Sequence, residues 1–350
     1  MKIKIAGGCG EHGRNCFYVE GTEDAFIVDC GLMAGEEGGG YPHLSKEDIL
    51  KIKYVFLTHS HADHTGAIPW LIENGFSGDV IASKETLEQL PFKVESGKTI
   101  DEFIRESNKL EVFYGRTGHC VGSVWYQFRL EDKTLFFSGD YVEENFVHEK
   151  DLIREKYADM AILDCAYGKD DKTFLNYCDE LIDFICEKKE QYPTLLLPVP
   201  KYGRGLELYW ILKEKFPNWK YCADNHFVKQ VEKTKNSNWI CKDRCLSKNI
   251  SIYNEREKAD IVFVSDPQLR SDAAKKIAIH VLENGYGIMT GTVENDTMSA
   301  KFIDEKKMTL LRFPVHLNEF QYKKVISMNY FKRTIAYHSS AYVYEKEIEI

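Results

Sequence analysis

The sequence has no long apolar run. No stretch approaches the roughly 18 uninterrupted apolar residues that a membrane-spanning helix needs. The first residues reach Gly7 and Gly8 before the apolar region of an export signal could form. The sequence therefore predicts a cytoplasmic protein that does not contact a membrane.

Long blocks of one charge sign, internal repeats and low-complexity tracts are also missing. Hydrophobic residues make up 43% of the chain and charged residues 29%, which is typical of globular proteins and unlike disordered or fibrous chains. A chain of 350 residues is long for one domain and short for three. We therefore expect two domains, or one domain with a large insertion.

The ten cysteines do not form a disulfide framework, because they are scattered along the chain and no export signal precedes them. Reduced thiols are the better interpretation. The one close pair outside the motifs described below is Cys241 and Cys245, and no second pair of Cys or His residues follows it at zinc-finger spacing. A structural zinc at this pair is therefore disfavoured.

The chain lacks the positive net charge that favours binding to phosphate backbones, since its formal charge is −9. The charge is unevenly distributed. Residues 170–312 carry 23 basic and 22 acidic side chains, a net charge of +1, so the remaining residues carry −10. Bound metal ions would make a site attractive to phosphate despite this total, and a nucleic-acid substrate is not excluded.

The densest group of chemically active residues is His59-Ser60-His61-Ala62-Asp63-His64. It follows an apolar run over residues 53–57 that predicts a strand. Four potential metal ligands within six residues are too many for a solvated loop in a chain with 11 histidines. Three imidazoles and a carboxylate could serve two adjacent ions.

This segment resembles the H-x-H-x-D-H motif of metallo-β-lactamase-fold hydrolases, and further motifs follow the family's order. Asp29 ends an apolar run, as in the first family motif. His119, in Gly118-His119-Cys120, and Asp140, in Ser138-Gly139-Asp140, resemble the third and fourth.

The resemblance implies a centre with two Zn²⁺ ions, and Mn²⁺ is the alternative metal. One ion would be held by His59, His61 and His119. The other would be held by Asp63, His64 and a further histidine, and Asp140 would bridge the two. Asp29 would orient a ligand histidine by accepting its second ring N–H.

The opening segment, Gly7-Gly8-Cys9-Gly10-Glu11-His12-Gly13-Arg14-Asn15-Cys16, resembles that of the β-CASP nucleases, in which a cap domain is inserted into the lactamase fold. Three later residues resemble the additional β-CASP motifs: Asp164, His316 and His338. The resemblance implies an αββα metallo-β-lactamase sandwich with an inserted α/β cap. We expect the first part of the lactamase domain over residues 1–169, the cap over 170–312 and the closing part over 313–350.

By the same resemblance, His338 is the last ligand of the second ion, and His316 is the general acid that protonates the leaving oxygen, with Asp164 hydrogen-bonded to it. Asp63 completes the expected catalytic set. In the cap, Lys201 and Arg204 lie in a segment that ends in the β-CASP pattern Gly-Arg-x-x-Glu, and they are candidates for contacts with substrate phosphates. A surface role for Arg204 is the alternative. The chain departs from the family at His338-Ser339-Ser340, where His-Gly-Glu is common.

The resemblance implies a ribonuclease that cleaves single-stranded RNA by two-metal hydroxide attack and leaves 5′-phosphate and 3′-hydroxyl ends. DNA is an alternative substrate. The alternative functions are a dinuclear hydrolase of a small ester or thioester, and a non-enzymatic subunit. The second is disfavoured because every expected ligand is retained. Homodimers are common among soluble enzymes, so a homodimer is an alternative to a monomer.

Overall fold

The computed structural model describes the chain from Met1 to Ile350 with short gaps. The residues outside the description are Glu23, Ala34, 36–38, 107–109, 235–236, Cys245, 247–248 and Val343. Cys245, one member of the close cysteine pair, is among them. None of the described helices is both long enough and apolar enough to cross a membrane.

The chain divides into two compact units, and each is discontinuous in sequence. Unit 1 consists of residues 1–143, 150–171 and 316–350, and unit 2 consists of 144–149 and 172–315. The inserted domain is predicted over residues 170–312. Residues 144–149, which belong to unit 2 in the structure, lie outside that prediction.

Up to residue 171 the chain runs through strands interspersed with short helices. In chain order these are β1 (Lys2–Gly7), β2 (Cys16–Glu20), β3 (Ala25–Val28), α1 (Lys46–Lys51), β4 (Ile52–Phe56), α2 (Ala62–Thr65), α3 (Ile68–Glu73), β5 (Asp79–Ala82), α4 (Lys84–Gln89), β6 (Gly97–Thr99), α5 (Ile100–Glu106), β7 (Glu111–Arg116), β8 (Val124–Leu130), β9 (Lys133–Phe137), β10 (Tyr157–Ala158) and β11 (Met160–Asp164).

Longer helices then alternate with short strands, and the chain ends with a last helix and three strands. The alternating elements are α6 (Phe174–Gln191), β12 (Leu195–Pro198), α7 (Arg204–Lys215), β13 (Tyr221–Ala223), α8 (Asn225–Lys233), β14 (Ile250–Ile252), β15 (Ile261–Val264), α9 (Asp272–Leu282), β16 (Tyr286–Met289), α10 (Met298–Asp304) and β17 (Met308–Leu310). The last elements are α11 (Glu319–Ser327), β18 (Tyr330–Phe331), β19 (Thr334–Tyr337) and β20 (Glu347–Glu349).

Unit 1 contains two large sheets, with strand orders β20-β1-β2-β3-β4-β5-β6 and β19-β11-β9-β8-β7. Their inner faces meet through aromatic rings, since Phe128 lies 4.8 Å from both Phe26 and Phe56 between ring centroids. The outer face of the first sheet is covered by helices that contribute Ile49 and Leu71. Helix α11 covers the outer face of the second sheet. This confirms the predicted αββα sandwich.

Unit 2 is built on a parallel sheet with the strand order β14-β13-β15-β12-β16-β17 in the described part of the chain. The strands are short, continuous apolar runs, as expected when helices cover both faces of a sheet. On one face Tyr209 and Phe227 pack against Phe263. On the other face Ala278 of α9 and Phe302 of α10 join the core. The confirmed fold is therefore a metallo-β-lactamase sandwich with an inserted α/β domain.

Regular pairing at one edge of the unit 2 sheet ends shortly after β17. Strand β17 begins at Met308 and ends at Leu310. Beyond it the backbone of Leu311 and Phe313 still donates to β16 and its end. Pro314 has no N–H to donate, and regular pairing stops before it.

Candidate metal centre

The histidine-rich segment lies at the carboxyl end of β4, where the chain turns into the short helix α2. His61 precedes the first residue of this helix, and His64 lies within it. The tight turn brings His59 and His64 together, with ring centroids 4.1 Å apart. The side chains of both residues are fully buried.

His59, His61 and His119 converge on one point. The Nδ1 atom of His61 lies 3.0 Å from Nε2 of His59 and 3.2 Å from Nε2 of His119. With a carboxylate oxygen of Asp140, these nitrogens all lie within 4.8 Å of one another. We call these three histidines the first ligand group.

Asp63, His64 and His338 form a second ligand group, and one atom from each lies within the same 4.8 Å limit. The Nε2 atom of His338 is 3.3 Å from Oδ2 of Asp63. The Nδ1 atom of His338 is buried without a hydrogen bond, although it lies 3.3 Å from a carboxylate oxygen of Asp140. A buried ring nitrogen of this kind fits a metal ligand.

Asp140 lies between the two groups. Its Oδ2 atom is 3.5 Å from Nε2 of both His59 and His119. Its Oδ1 atom is 3.2 Å from Nε2 of His64 and 3.3 Å from Nδ1 of His338. Each oxygen therefore faces a different ligand group, which is the arrangement of a bridging carboxylate.

Asp29 contacts the Nδ1 atom of His64. Its Oδ2 atom is 2.7 Å from Nδ1 of His64, and its carboxylate also accepts the backbone N–H and the hydroxyl of Thr58, each at 2.8 Å. Because Nδ1 is occupied, His64 presents Nε2 to the centre. Asp29 has φ of 62°, a left-handed conformation that is unusual outside glycine.

The charges of the centre suit a cation. Burial disfavours the charged form of Asp140, yet the imidazoles of His64, His338 and His316 hold the pKa of its carboxyl well below the usual range. Burial lowers the pKa of His59 well below its usual value, so this ring is neutral and can act as a ligand. Burial also disfavours protonation of His338, but Asp140 and Asp63 raise its pKa to about 10. An ion held by the second group would therefore displace this proton, and its binding would weaken as the pH falls.

His316 and Asp164 form a pair beside the two groups. The Nδ1 atom of His316 is 3.0 Å from Oδ2 of Asp164. The Asp164 carboxylate is fully buried and also accepts the backbone N–H groups of Tyr141 and Ala166. The side chain of His316 is 13% exposed. With Nδ1 engaged, its Nε2 atom is left for another partner.

The two predicted phosphate contacts lie in unit 2. Lys201 is exposed, whereas Arg204, at the start of α7, is half-buried. Nη1 of Arg204 donates to the carbonyl of Thr290 at 3.1 Å. Its guanidinium lies against Gly291 so closely that a Cβ there would come within 2.0 Å of it, which explains the glycine. Part of the guanidinium therefore holds the end of β16.

The sequence analysis gave no role to two residues that contact the centre. The hydroxyl of Tyr337 donates to Oδ1 of Asp140 at 3.1 Å in the buried interior. The amide of Asn15 lies 2.9 Å from Nε2 of His64. Asn15 lies in the opening motif and Tyr337 immediately precedes His338. This closeness to recognised motifs is the only feature of the sequence that could have indicated a role for them.

Residues 9–176 match the sequence profile of the metallo-beta-lactamase superfamily. The chain is similar to transcription termination factor FttA of Methanocaldococcus jannaschii, with 24% identity over 62% of this chain and 40% of the relative. It is also similar to ribonuclease TTHA0252 of Thermus thermophilus, with 24% identity over 53% of this chain and 48% of the relative. A third relative is cleavage and polyadenylation specificity factor 73 of Drosophila melanogaster, with 24% identity over 65% and 37%. The chain spans less than half the length of these relatives.

A solved protein of unknown function from Enterococcus faecalis shares the fold over 99% of both chains, with a TM-score of 0.63 and 12% identity. The sandwich and its clustered ligands define a divalent-metal site of the metallo-β-lactamase class. The profile match and these relatives agree with the resemblance of the chain to the β-CASP nucleases.

Proposed function

We propose that this protein is a zinc-dependent ribonuclease that cleaves single-stranded RNA and leaves 5′-phosphate and 3′-hydroxyl ends. The observation that carries the proposal is the position of Asp140, whose two oxygens face two separate ligand groups, with the His316–Asp164 pair beside them. Among the relatives, TTHA0252 is named as a ribonuclease.

The donor set supports two zinc ions, because imidazole and carboxylate ligands suit this metal. The first ion would be held by His59, His61 and His119, and the second by Asp63, His64 and His338. When bound, such a pair of ions supplies a hydroxide at neutral pH and offsets negative charge on a phosphate.

The leaving oxygen needs a proton, and we infer that His316 donates it. Asp164 holds Nδ1 at 3.0 Å, which fixes the ring and directs Nε2 away from the carboxylate. Nε2 is therefore the atom of this ring that would carry the transferred proton. A thioester hydrolase has less need of such an acid, because a thiol ionises at about pH 8.5 and its thiolate can leave without a proton.

The test uses a single-stranded RNA labelled separately at each end and incubated with the zinc-loaded protein. We expect metal-dependent cleavage, which His316→Ala slows by about 10²–10⁴-fold, the usual contribution of a general acid. The zinc content should stay unchanged. His43→Ala is the matched control, since His43 is an exposed histidine of unit 1 and should leave the rate unchanged.

Full activity of His316→Ala would remove its role as the acid. If the zinc-loaded wild type cuts neither RNA nor DNA but hydrolyses a thioester, the nuclease proposal is wrong and the protein is a small-molecule hydrolase. The ends of the products, read by their sensitivity to a 5′-phosphate-dependent exonuclease, test the predicted polarity of cleavage.

We also propose that Lys201 and the outer edge of Arg204 contact substrate phosphates. An exposed lysine beside a backbone phosphate adds binding energy without taking part in the reaction. Lys201→Ala is therefore expected to raise KM in the RNA assay severalfold and to leave kcat unchanged. An unchanged KM would show that Lys201 is a surface cation. Arg204 is a poorer target for mutation because it also holds Thr290.

A further inference from the structure

The loop between β1 and β2, residues 8–15, lies against the second ligand group. We call it the opening loop. The function proposed above assigns nothing to it, although it is buried at several positions and includes non-glycine backbone at positive φ, at Arg14 with φ of 40°. A strained and buried connection of this kind is kept where its conformation matters.

Asn15, at the end of the opening loop, holds the peptide of Asp63. Its backbone N–H donates to the Asp63 carbonyl at 2.8 Å, and its side-chain Nδ2 donates to the same oxygen at 3.1 Å. Asn15 itself is fully buried. Neither bond uses a ligand atom, so an ion at the second ligand group would not compete with them.

The same amide contacts the neighbouring ligand. Nδ2 of Asn15 lies 2.9 Å from Nε2 of His64, the ring nitrogen that Asp29 leaves available for an ion. The backbones at positions 15, 31 and 63 meet so closely that a Cβ at Gly31 would come within 1.7 Å of the Asp63 carbonyl. Small movements at Asn15 are therefore transmitted to both ligands.

The other end of the opening loop holds the third ligand. The backbone N–H of His338 donates to the Gly8 carbonyl at 2.6 Å, and His338 has φ of 66°. Gly8 in turn lies against Asn15, because a Cβ there would be 2.3 Å from Oδ1 of Asn15. The carboxylate of Glu11 closes the loop by accepting the Gly8 N–H at 3.2 Å and pairing with Arg14 at 2.8 Å.

The first ligand group is supported from other elements. Nδ1 of His59 lies 3.1 Å from the hydroxyl of Thr58, after β4. The backbone N–H of His119 donates to the hydroxyl of Thr117 at 3.4 Å. A change in the opening loop should therefore act on one ligand group and spare the other.

We propose that Asn15 is a positioning residue for the second ion, and that the opening loop sets the affinity of the second ligand group independently of the first. This inference rests on the two-ion centre proposed above, but not on RNA as the substrate. It makes the loop a part of the metal site that contributes no ligand.

The test measures the affinity of each ion rather than activity. Metal-free wild type and Asn15→Ala are titrated with Co²⁺ in the presence of a competing chelator, and the visible spectrum follows the two binding steps. We expect two ions in the wild type. In Asn15→Ala the first step should be unchanged and the second weakened about 10–100-fold, the usual effect of losing a residue that orients metal ligands.

Tyr18→Phe is the control, because it removes a buried hydroxyl from the adjoining strand β2 without touching the loop. Both affinities should be unchanged. If Asn15→Ala does not fold, as judged by circular dichroism, Glu11→Gln tests the same idea from the other side of the loop, with a smaller weakening of the second step.

Three outcomes overturn the inference. An unchanged second step means that Asn15 does not position these ligands, and equal weakening of both steps means that its effect is general. In either case the two-ion proposal stands. A wild type that binds fewer than two ions overturns the two-ion centre itself, and this inference with it.

Discussion

At the residue scale, two site residues adopt backbone conformations that side chains normally avoid. Asp29 and His338 have φ of 62° and 66°, and each lies in the left-handed region. Such conformations cost about 1–3 kcal/mol each and persist only when the surroundings enforce them. Here the surroundings are the hydrogen bonds to Thr58 and Gly8. The two strained residues therefore depend on bonds that also hold the centre together.

The charge of Asp29 can be tested without changing its backbone. Asn tolerates the left-handed region, so Asp29→Asn keeps the conformation and removes the negative charge that faces Nδ1 of His64. We expect zinc affinity to fall about 10–100-fold in a chelator competition assay. Asp159→Asn is the control, because Asp159 is another buried aspartate of unit 1, bonded to Thr134 and Lys332, and should leave zinc binding intact. Equal affinities for Asp29→Asn and wild type would contradict the role of Asp29.

At the scale of elements, helix α7 binds residues 144–149, which are distant from it in sequence, within unit 2. Its Glu207 is buried and accepts the backbone N–H of Phe146 at 2.7 Å and those of Val147 and His148 at 3.0 Å. A fourth bond joins it to Nδ1 of His148 at 2.7 Å. These bonds explain why residues 144–149 belong to unit 2. They also give a structural role to the glutamate of the Gly-Arg-x-x-Glu pattern.

Glu207→Gln should lower the free energy of unfolding of unit 2 by roughly 2–4 kcal/mol, because charged hydrogen bonds to buried groups are lost. Burial disfavours the carboxylate, but His148 and the backbone N–H groups hold the pKa of Glu207 below its usual value. Its contribution is therefore fully present above the unfolded pKa of about 4.3 and is lost as the pH falls through the lower folded value.

Hydrogen exchange at the amides of residues 146–148 measures this effect. The difference in protection between wild type and Glu207→Gln should be constant at neutral pH. It should narrow only below about pH 4.3, where the Glu207 carboxylate of the unfolded chain takes up a proton while that of the folded protein is still charged. A difference in protection that does not change down to pH 3 would show that the charge of Glu207 does not contribute to the stability of unit 2.

At the scale of the whole molecule, the two units should differ in their response to metal removal. Every proposed ligand lies in unit 1. An ion that binds only the folded state stabilises that state by about 4 kcal/mol when its free concentration is 1,000 times its Kd. In differential scanning calorimetry, a chelator should therefore lower the Tm of the unit 1 transition and leave that of unit 2 in place. Equal shifts of both transitions would contradict this assignment.

The sequence predicted the residues whose chemistry is conspicuous and missed those whose role depends on distant neighbours. His59, His61, Asp63 and His64 are adjacent in the chain, so their density alone indicated a site. Asn15 reaches its partner His64 across 49 residues, and Tyr337 reaches Asp140 across 197. No local pattern encodes such contacts.

The same distinction between local patterns and long-range contacts applies to the helices and strands. The strand that the apolar run over residues 53–57 predicted is found as β4, Ile52–Phe56. The membership of residues 144–149 in unit 2 was not predictable, because it depends on Glu207, about 60 residues later in the chain. Long-range hydrogen bonds, rather than local propensity, decide which unit that segment joins.

The discontinuity of unit 1 has a consequence during synthesis. His59 to Asp140 leave the ribosome before unit 2, whereas His316 and His338 follow it. At about 5–20 residues per second, the intervening chain takes roughly 10–40 seconds to make. A nascent chain thus acquires the first ligand group early, and the proposed acid and the proposed last ligand late. Ribosome-bound chains arrested before residue 316 are therefore expected to take up metal without cutting the messenger that encodes them.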